Sequence, residues 1–199
     1  MAQGRQAPIL ATTILPLRSG VMDWSRDGQY LLYEEPNAKT GWDLMVLPLD
    51  GPAGAPRKPV PFLQTAFNEQ DGVFSPDGKW IAYDSNESGQ TEVYIQPFPA
   101  SGGKWQVSSG GGSFPRWRGD GKELFYRQDP LGNVMAAGIH ALPGRVDFDT
   151  PHVLFVWSGP PTFDVSSDGL RFVMLDPPGA NTSFAKSLTI LSNWQAGLK

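Results

Sequence analysis

The chain has 199 residues, a formal net charge of −4, 18% charged and 12% aromatic residues, and no cysteine. The missing cysteine excludes disulfides, thiolate metal sites and a cysteine nucleophile, and with no cluster of Lys and Arg a nucleic-acid partner is not expected. With 23 glycines and 19 prolines, the composition suits many short strands joined by tight turns, so one all-β domain over 1–199 is the expectation.

In chain order, the opening stretch MAQGRQAPILATTILPL lacks a charged region followed by a sustained apolar one, so it does not read as a secretory signal. Within it, Pro8–Leu15 is strand-like and is placed as an outer strand, about 6–16, that precedes the first repeat. No apolar run of about 18 residues occurs, so membrane insertion by this chain is not expected.

From residue 20 onward the chain repeats itself, with units at about 20–70, 71–112, 113–157 and 158–199. Each unit carries an Asp-Gly pair, at Asp27, Asp77, Asp120 and Asp168, spaced 50, 43 and 48 residues apart. Three residues before the Asp stand Trp24, Phe74, Trp117 and Val165; three after the Gly stand Leu31, Ile81, Leu124 and Phe172. Asp-Gly between apolar runs is a hairpin signal, because glycine supplies positive φ and the Asp carboxylate bonds its own backbone. A third strand follows in each unit, at Leu44–Leu47, Val93–Ile95, Val134–Ala136 and Leu188–Leu191. A fourth follows a further turn, as at Lys104–Val107. Four antiparallel strands per 43 to 50 residues is the length of one blade of a β-propeller. The fold expected is therefore a β-propeller of about four four-stranded blades, as a whole or partial ring.

The run from Phe74 to Tyr83, FSPDGKWIAY, resembles the core of a TolB-like (WD-related) propeller repeat. Residues 85–126 resemble propellers at the C-terminus of certain bacterial Ser/Thr protein kinases, and 188–198 resembles the close of those chains. The last repeat departs from the pattern, with Ser167 where proline and Val165 where an aromatic is usual. No Gly-rich phosphate loop, HRD or DFG is present, so kinase activity does not follow. The resemblance implies a binding, sensor or scaffolding module, cytoplasmic as the chain stands and extracytoplasmic if it belongs to a membrane-anchored kinase.

Candidate chemistry is sparse. The four turn Asp residues are assigned to their turns, because Gly follows each one. His140 and His152 share no metal-ligand spacing, and no GxSxG elbow marks a serine nucleophile, so neither a metal, a cofactor nor a catalytic residue is assigned. Ser108–Ser113 is glycine-rich enough to cradle an anion, but it opens no helix and reads as a flexible connector. Trp24, Trp80, Trp105, Trp117 and Trp157 are read mainly as packing between blades. The binding candidates are Asn68, Glu69, Arg116 and Arg118, placed near the expected channel mouth. The expected ligand is a protein, peptide or small molecule. The alternatives are a propeller-associated hydrolase or lyase fragment, or a structural piece of a larger ring. Four repeats leave three forms open: an arc of a larger propeller, a closed four-bladed ring, or chains that self-associate to complete a ring.

Overall fold

Each Asp-Gly pair closes a hairpin between the first two strands of a sheet. Gly28, Gly78, Gly121 and Gly169 take φ of +73°, +70°, +73° and +74°, a region that side chains with a Cβ enter only at a cost. The preceding Asp accepts the backbone N–H two residues on, from Gln29, Lys79, Lys122 and Leu170 at 3.0, 3.2, 3.0 and 3.0 Å. In three turns a serine completes the loop. The hydroxyls of Ser25, Ser75 and Ser166 donate to the Asp and accept the N–H of Tyr30, Trp80 and Arg171. In the remaining turn Arg118 stands in the serine's place and grips Asp120 through Nε and Nη2, at 2.8 and 2.9 Å.

The structure, a computed structural model, describes residues 20–50 and 57–175 and the backbone of 188–192. The described residues form only strands, turns and loops, in four antiparallel sheets. The first contains β1 (Gly20–Trp24), β2 (Tyr30–Asn37), β3 (Gly41–Pro48) and β4 (Val60–Leu63). The second contains β5 (Glu69–Phe74), β6 (Trp80–Ser85), β7 (Glu92–Pro97) and β8 (Trp105–Gln106). Both have the up-and-down order of a propeller blade.

The third sheet departs from the four-strand expectation. It runs β9 (Ser113–Trp117), β10 (Glu123–Gln128) and a ten-residue β11 (Asn133–Leu142). The first part of β11 pairs with β13 (His152–Val156), which takes the fourth-strand place. Its last part folds onto β12 (Arg145–Phe148), an inserted hairpin that extends the blade. The fourth sheet shows three strands, β14 (Phe163–Val165), β15 (Arg171–Leu175) and β16 (Leu188–Ser192). The strand assigned to Pro8–Leu15, and its pairing with 188–193, lie outside the described residues.

The core lies between sheets, in three clusters, one per joint between consecutive blades. Leu32, Leu44 and Val46 of the first blade meet Phe74, Ile81 and Tyr83 of the second. Ala82, Val93 and Ile95 of the second meet Leu124, Tyr126 and Ala137 of the third. Phe125, Val134 and Leu154 of the third meet Phe163, Phe172 and Met174 of the fourth. Neighbouring residues of one strand thus serve two joints, which is why β6 is buried along its whole length instead of alternating.

Candidate functional site

The first strands of the four blades stand side by side around one cleft of about 600 Å³. Position in the repeat decides what faces it. Four residues before each turn Asp stand Asp23, Val73, Arg116 and Asp164, and all four line the cleft. Arg116 Nε lies 3.9 Å from Asp164 Oδ1, while its Nη1 donates to Pro115 O at 2.7 Å. Asp23 accepts the N–H of Trp24 and, across the joint, that of Phe74, both at 2.8 Å. Burial pushes the Asp23 carboxyl above the usual carboxylate range, against the pull of those two bonds and of Arg116. Arg26 crosses from the first blade to Gly119 O of the third at 3.3 Å, and the exposed ring of Trp24 completes the wall. The cleft therefore offers two carboxylates, two guanidinium groups and an aromatic face, with no excess of either sign.

Behind this wall a second set of charges joins the blades. The first strands of the first three blades carry a β-bulge at the same place, seen as a register shift against their partners. In the second and third blades the bulge puts Asp71 and Phe114 at φ of +52° and +54°. Both stand six residues before the turn Asp. Left-handed backbone turns their N–H groups toward the preceding blade, where a carboxyl receives them, half-buried at Glu34 and buried at Asp84. Glu34 accepts from the Asp71 backbone, and Asp84 accepts from Phe114 N at 3.2 Å. Glu34 and Asp84 each stand seven residues after their own turn Asp. Asp84 also bonds the Asp71 carboxyl, and burial together with that neighbour pushes Asp84 well above the usual carboxylate range. The equivalent residue of the third blade is Arg127, and β14 shows no register shift. Arg127 Nε reaches Asp129 at 3.0 Å, and its buried Nη1 has no partner.

The residues singled out from sequence separate into two ends of the first strands. Asn68 and Glu69 stand at the start of β5, and Arg116 and Arg118 at the turn end of β9. Asn68 Oδ1 accepts from Trp42 N at 3.1 Å, and Asn68 N donates to Asn86 Oδ1 at 2.9 Å. Glu69 is 1% exposed and is bonded by Thr65. These contacts fasten the β4–β5 connector to its neighbours, with Glu69 enclosed and Asn68 partly exposed. Arg118 is held by Asp120 and, at 2.9 Å, by Glu123, and its hydrogen bond to Asp120, helped by the Lys122 N–H and by the charge of Arg118, takes that carboxyl down to about 2. Of the four, Arg116 alone lines the cleft.

Other expectations also meet the structure. Ser108–Ser113 does cradle an anion, and that anion is the chain's own. Gly110 N and Gly111 N donate to Glu92 Oε1 at 2.9 and 3.0 Å, and the Ser108 hydroxyl bonds the same carboxylate. The connector is thereby pinned, where the sequence suggested flexibility. Trp80, Trp105 and Trp117 pack between the second and third blades, and Trp157 between the third and fourth. Trp24 is 60% exposed, because no blade among the described residues covers its face. His140 is an exposed residue whose Nε2 lies 3.0 Å from Asp149 Oδ1. Among the described residues no group of three His, Asp or Glu is placed to hold a metal ion, and no helix is long and apolar enough to cross a membrane. Asp23, Asp164, Asp71 and Asp84 were missed. The signal that finds them is alignment of the repeats on the turn Asp, followed by comparison of the polar residues at each position.

No protein-family model matches the chain, and no curated protein matches it. Solved structures do. TolB from Acinetobacter baumannii superposes with a TM-score of 0.61 at 20% identity, over 88% of this chain and 41% of that one. A putative TolB from Agrobacterium tumefaciens gives 0.51 at 20% identity, over 66% and 49%. A puromycin-hydrolyzing peptidase of Mycobacterium tuberculosis gives 0.55 at 21% identity, over 84% and 28%. The chain thus spans less than half the length of each of these proteins. With the turn chemistry, the blade order and the joints between blades, these likenesses establish the fold as a TolB-like β-propeller.

Proposed function

We propose that the chain is a recognition module that holds a peptide or a small molecule of mixed charge in the cleft between its first strands, without covalent chemistry. One observation carries this reading. Asp23, Arg116 and Asp164, from three different blades, occupy one repeat position and face one cleft beside Trp24. A structural role would leave that position interchangeable and apolar, as Val73 is in the second blade. Charges of both signs beside an exposed aromatic ring suit a ligand that presents both signs itself. The carboxylates there are occupied by backbone N–H groups or an ion pair, which favours holding a ligand over proton transfer.

The resemblance to kinase-linked propellers supports a reading in which such a module belongs to a longer signalling protein and ligand capture by the propeller is the sensed event. The competing reading, a propeller hydrolase or lyase, draws on the peptidase likeness, which covers 28% of that protein. A panel of short peptides of differing charge, titrated by calorimetry and then examined by mass spectrometry, separates the two. The expected result is binding weakened by Arg116→Ala and Asp164→Ala, with every peptide recovered intact. Conversion of a bound peptide, or binding indifferent to both substitutions, overturns the proposal.

A further inference from the structure

In each of the first three blades one backbone N–H, in or just after the third strand, returns to the turn. Leu49 N, Phe98 N and Ile139 N donate to Gln29 O, Lys79 O and Lys122 O at 2.7, 2.7 and 2.8 Å. Each acceptor stands two residues after a turn Asp, so the donors occupy one position of the repeat. At the joint between the first and second blades that position carries an aromatic ring. Phe98 packs edge-on against Tyr30 and Phe74, with ring centroids 5.0 and 5.2 Å away. Tyr30 stands three residues after the first turn Asp, and Phe74 three before the second.

At the next joint the two flanking positions are Trp80 and Trp117, and Ile139 stands in the place of Phe98. Isoleucine supplies no ring, and a notch of about 500 Å³ is lined by these three residues. The inserted hairpin gives the notch a wall. In the first two blades the third strand stops at Pro48 and Pro97, but β11 runs on to Leu142 and brings His140 and Ala141 alongside. Asp77, Asp120 and Lys122, all exposed, form the rim, so the notch opens at the surface.

Most charges of this rim are already engaged within the chain. Asp120 is held by Arg118 at 2.8 Å, Asp77 lies 3.7 Å from Lys79, and His140 lies 3.0 Å from Asp149. Selection therefore falls to the indole rings, for which an edge-on aromatic partner is the favourable neighbour. The notch adjoins the cleft between the first strands and shares Ser75 and Trp117 with it, but carries none of Asp23, Arg116 and Asp164.

From this we infer that the notch between the second and third blades is a second docking site, which receives an aromatic side chain from an extended, uncharged segment of a partner protein. The chain's own Phe98 shows the fit, because it fills the matching place one joint earlier with a ring of that kind.

Titration of the full chain with the blocked tripeptide acetyl-Gly-Phe-Gly-amide, followed through the indole N–H signals in two-dimensional NMR, tests this. The signals of Trp80 and Trp117 should shift and saturate while that of Trp24, in the first cleft, stays in place. The same tripeptide with Leu for Phe should bind about three- to tenfold more weakly, which is the worth of ring-on-ring packing beyond area burial. Free phenol should also bind more weakly than the tripeptide. Ile139→Phe supplies the ring from within the chain and should weaken binding at least about tenfold, as for a blocked anchor pocket. Its urea midpoint reports whether it remains folded, and the comparison of Phe and Leu tripeptides needs no variant at all. Arg116→Ala should leave this binding unchanged, which separates the notch from the cleft. Unmoved Trp80 and Trp117 signals, equal affinity for the two tripeptides, binding kept by folded Ile139→Phe, or binding lost in Arg116→Ala each overturn the inference. Phenol bound as tightly as the tripeptide overturns the partner segment in favour of a small aromatic molecule.

Discussion

Asp84 accepts the backbone N–H of Phe114 at 3.2 Å across the joint between the second and third blades. Phe114 can offer that N–H because its φ is +54°, a conformation a non-glycine residue holds only when its surroundings fix it. Glu34 and Asp71 repeat the arrangement one joint earlier. Buried acid and strained backbone are thus two halves of one device that sets the angle between blades.

That device makes stability depend on pH. Asp84 is 4% exposed and is faced by Asp71 on its own blade, by Glu34 from β2, and by the Arg116 charge that acts on Asp71 from β9. Its carboxyl titrates above the unfolded value of 3.8, so between that value and the folded one the native state binds more protons than the unfolded state. The contribution is fully present below 3.8 and is lost as pH rises through the folded value. Asn at this position keeps an acceptor for Phe114 N and a donor for Asp71, with no proton to lose. Urea midpoints measured from acid to neutral pH should rise on acidification less in Asp84→Asn than in the wild type. Equal slopes would place the pH dependence elsewhere.

Gly78 tests the hairpin geometry by itself. A Cβ built there meets nothing within 4 Å, so any cost of substitution comes from φ +70°. Gly78→Val should lower stability by about 1–3 kcal/mol, and Gly78→Ala by less. An unchanged urea midpoint for the valine variant would show that the turn does not need a left-handed residue.

The Glu92 cradle predicts a local effect together with a global one. Glu92→Ala strands the buried Ser108 hydroxyl, a loss of about 1–3 kcal/mol for a buried donor left unsatisfied, and releases the more exposed N–H groups of Gly110 and Gly111 to water. Amide exchange at Gly110 and Gly111 should accelerate, while that at Gly78, in a distant turn, should follow only the global stability. Unchanged protection at both glycines would mean the connector is held by other contacts.

The blades were legible in the sequence because their turns are local. Asp77-Gly78 and the alternating residues after it need only their own backbone to specify a hairpin. The inserted β11–β12 hairpin was not legible, because Ile139–Leu142 continues a strand pattern that already had a role. Nor were the joints. Glu34 and Asp84 look like surface acids until the next blade is laid against them, and their partner is a main-chain N–H that no side-chain pattern reveals. Arg116 was singled out because a basic residue beside a first strand stands out, and it lines the cleft. Asp23 and Asp164 were passed over because acids near turns are ordinary, whereas Asn68 and Glu69 were chosen as binding candidates because connector residues read as exposed, although Glu69 is in fact enclosed.

The claim that the cleft between the first strands is the binding surface is tested most directly at Arg116. Its guanidinium lines the cleft beside Asp164 and touches no core cluster, so its removal should leave the blades intact. Calorimetric titration of the tightest mixed-charge peptide into wild type and Arg116→Ala should show affinity at least about tenfold weaker, roughly 1.4 kcal/mol, at an unchanged urea midpoint. Equal affinity for the two proteins would contradict the account.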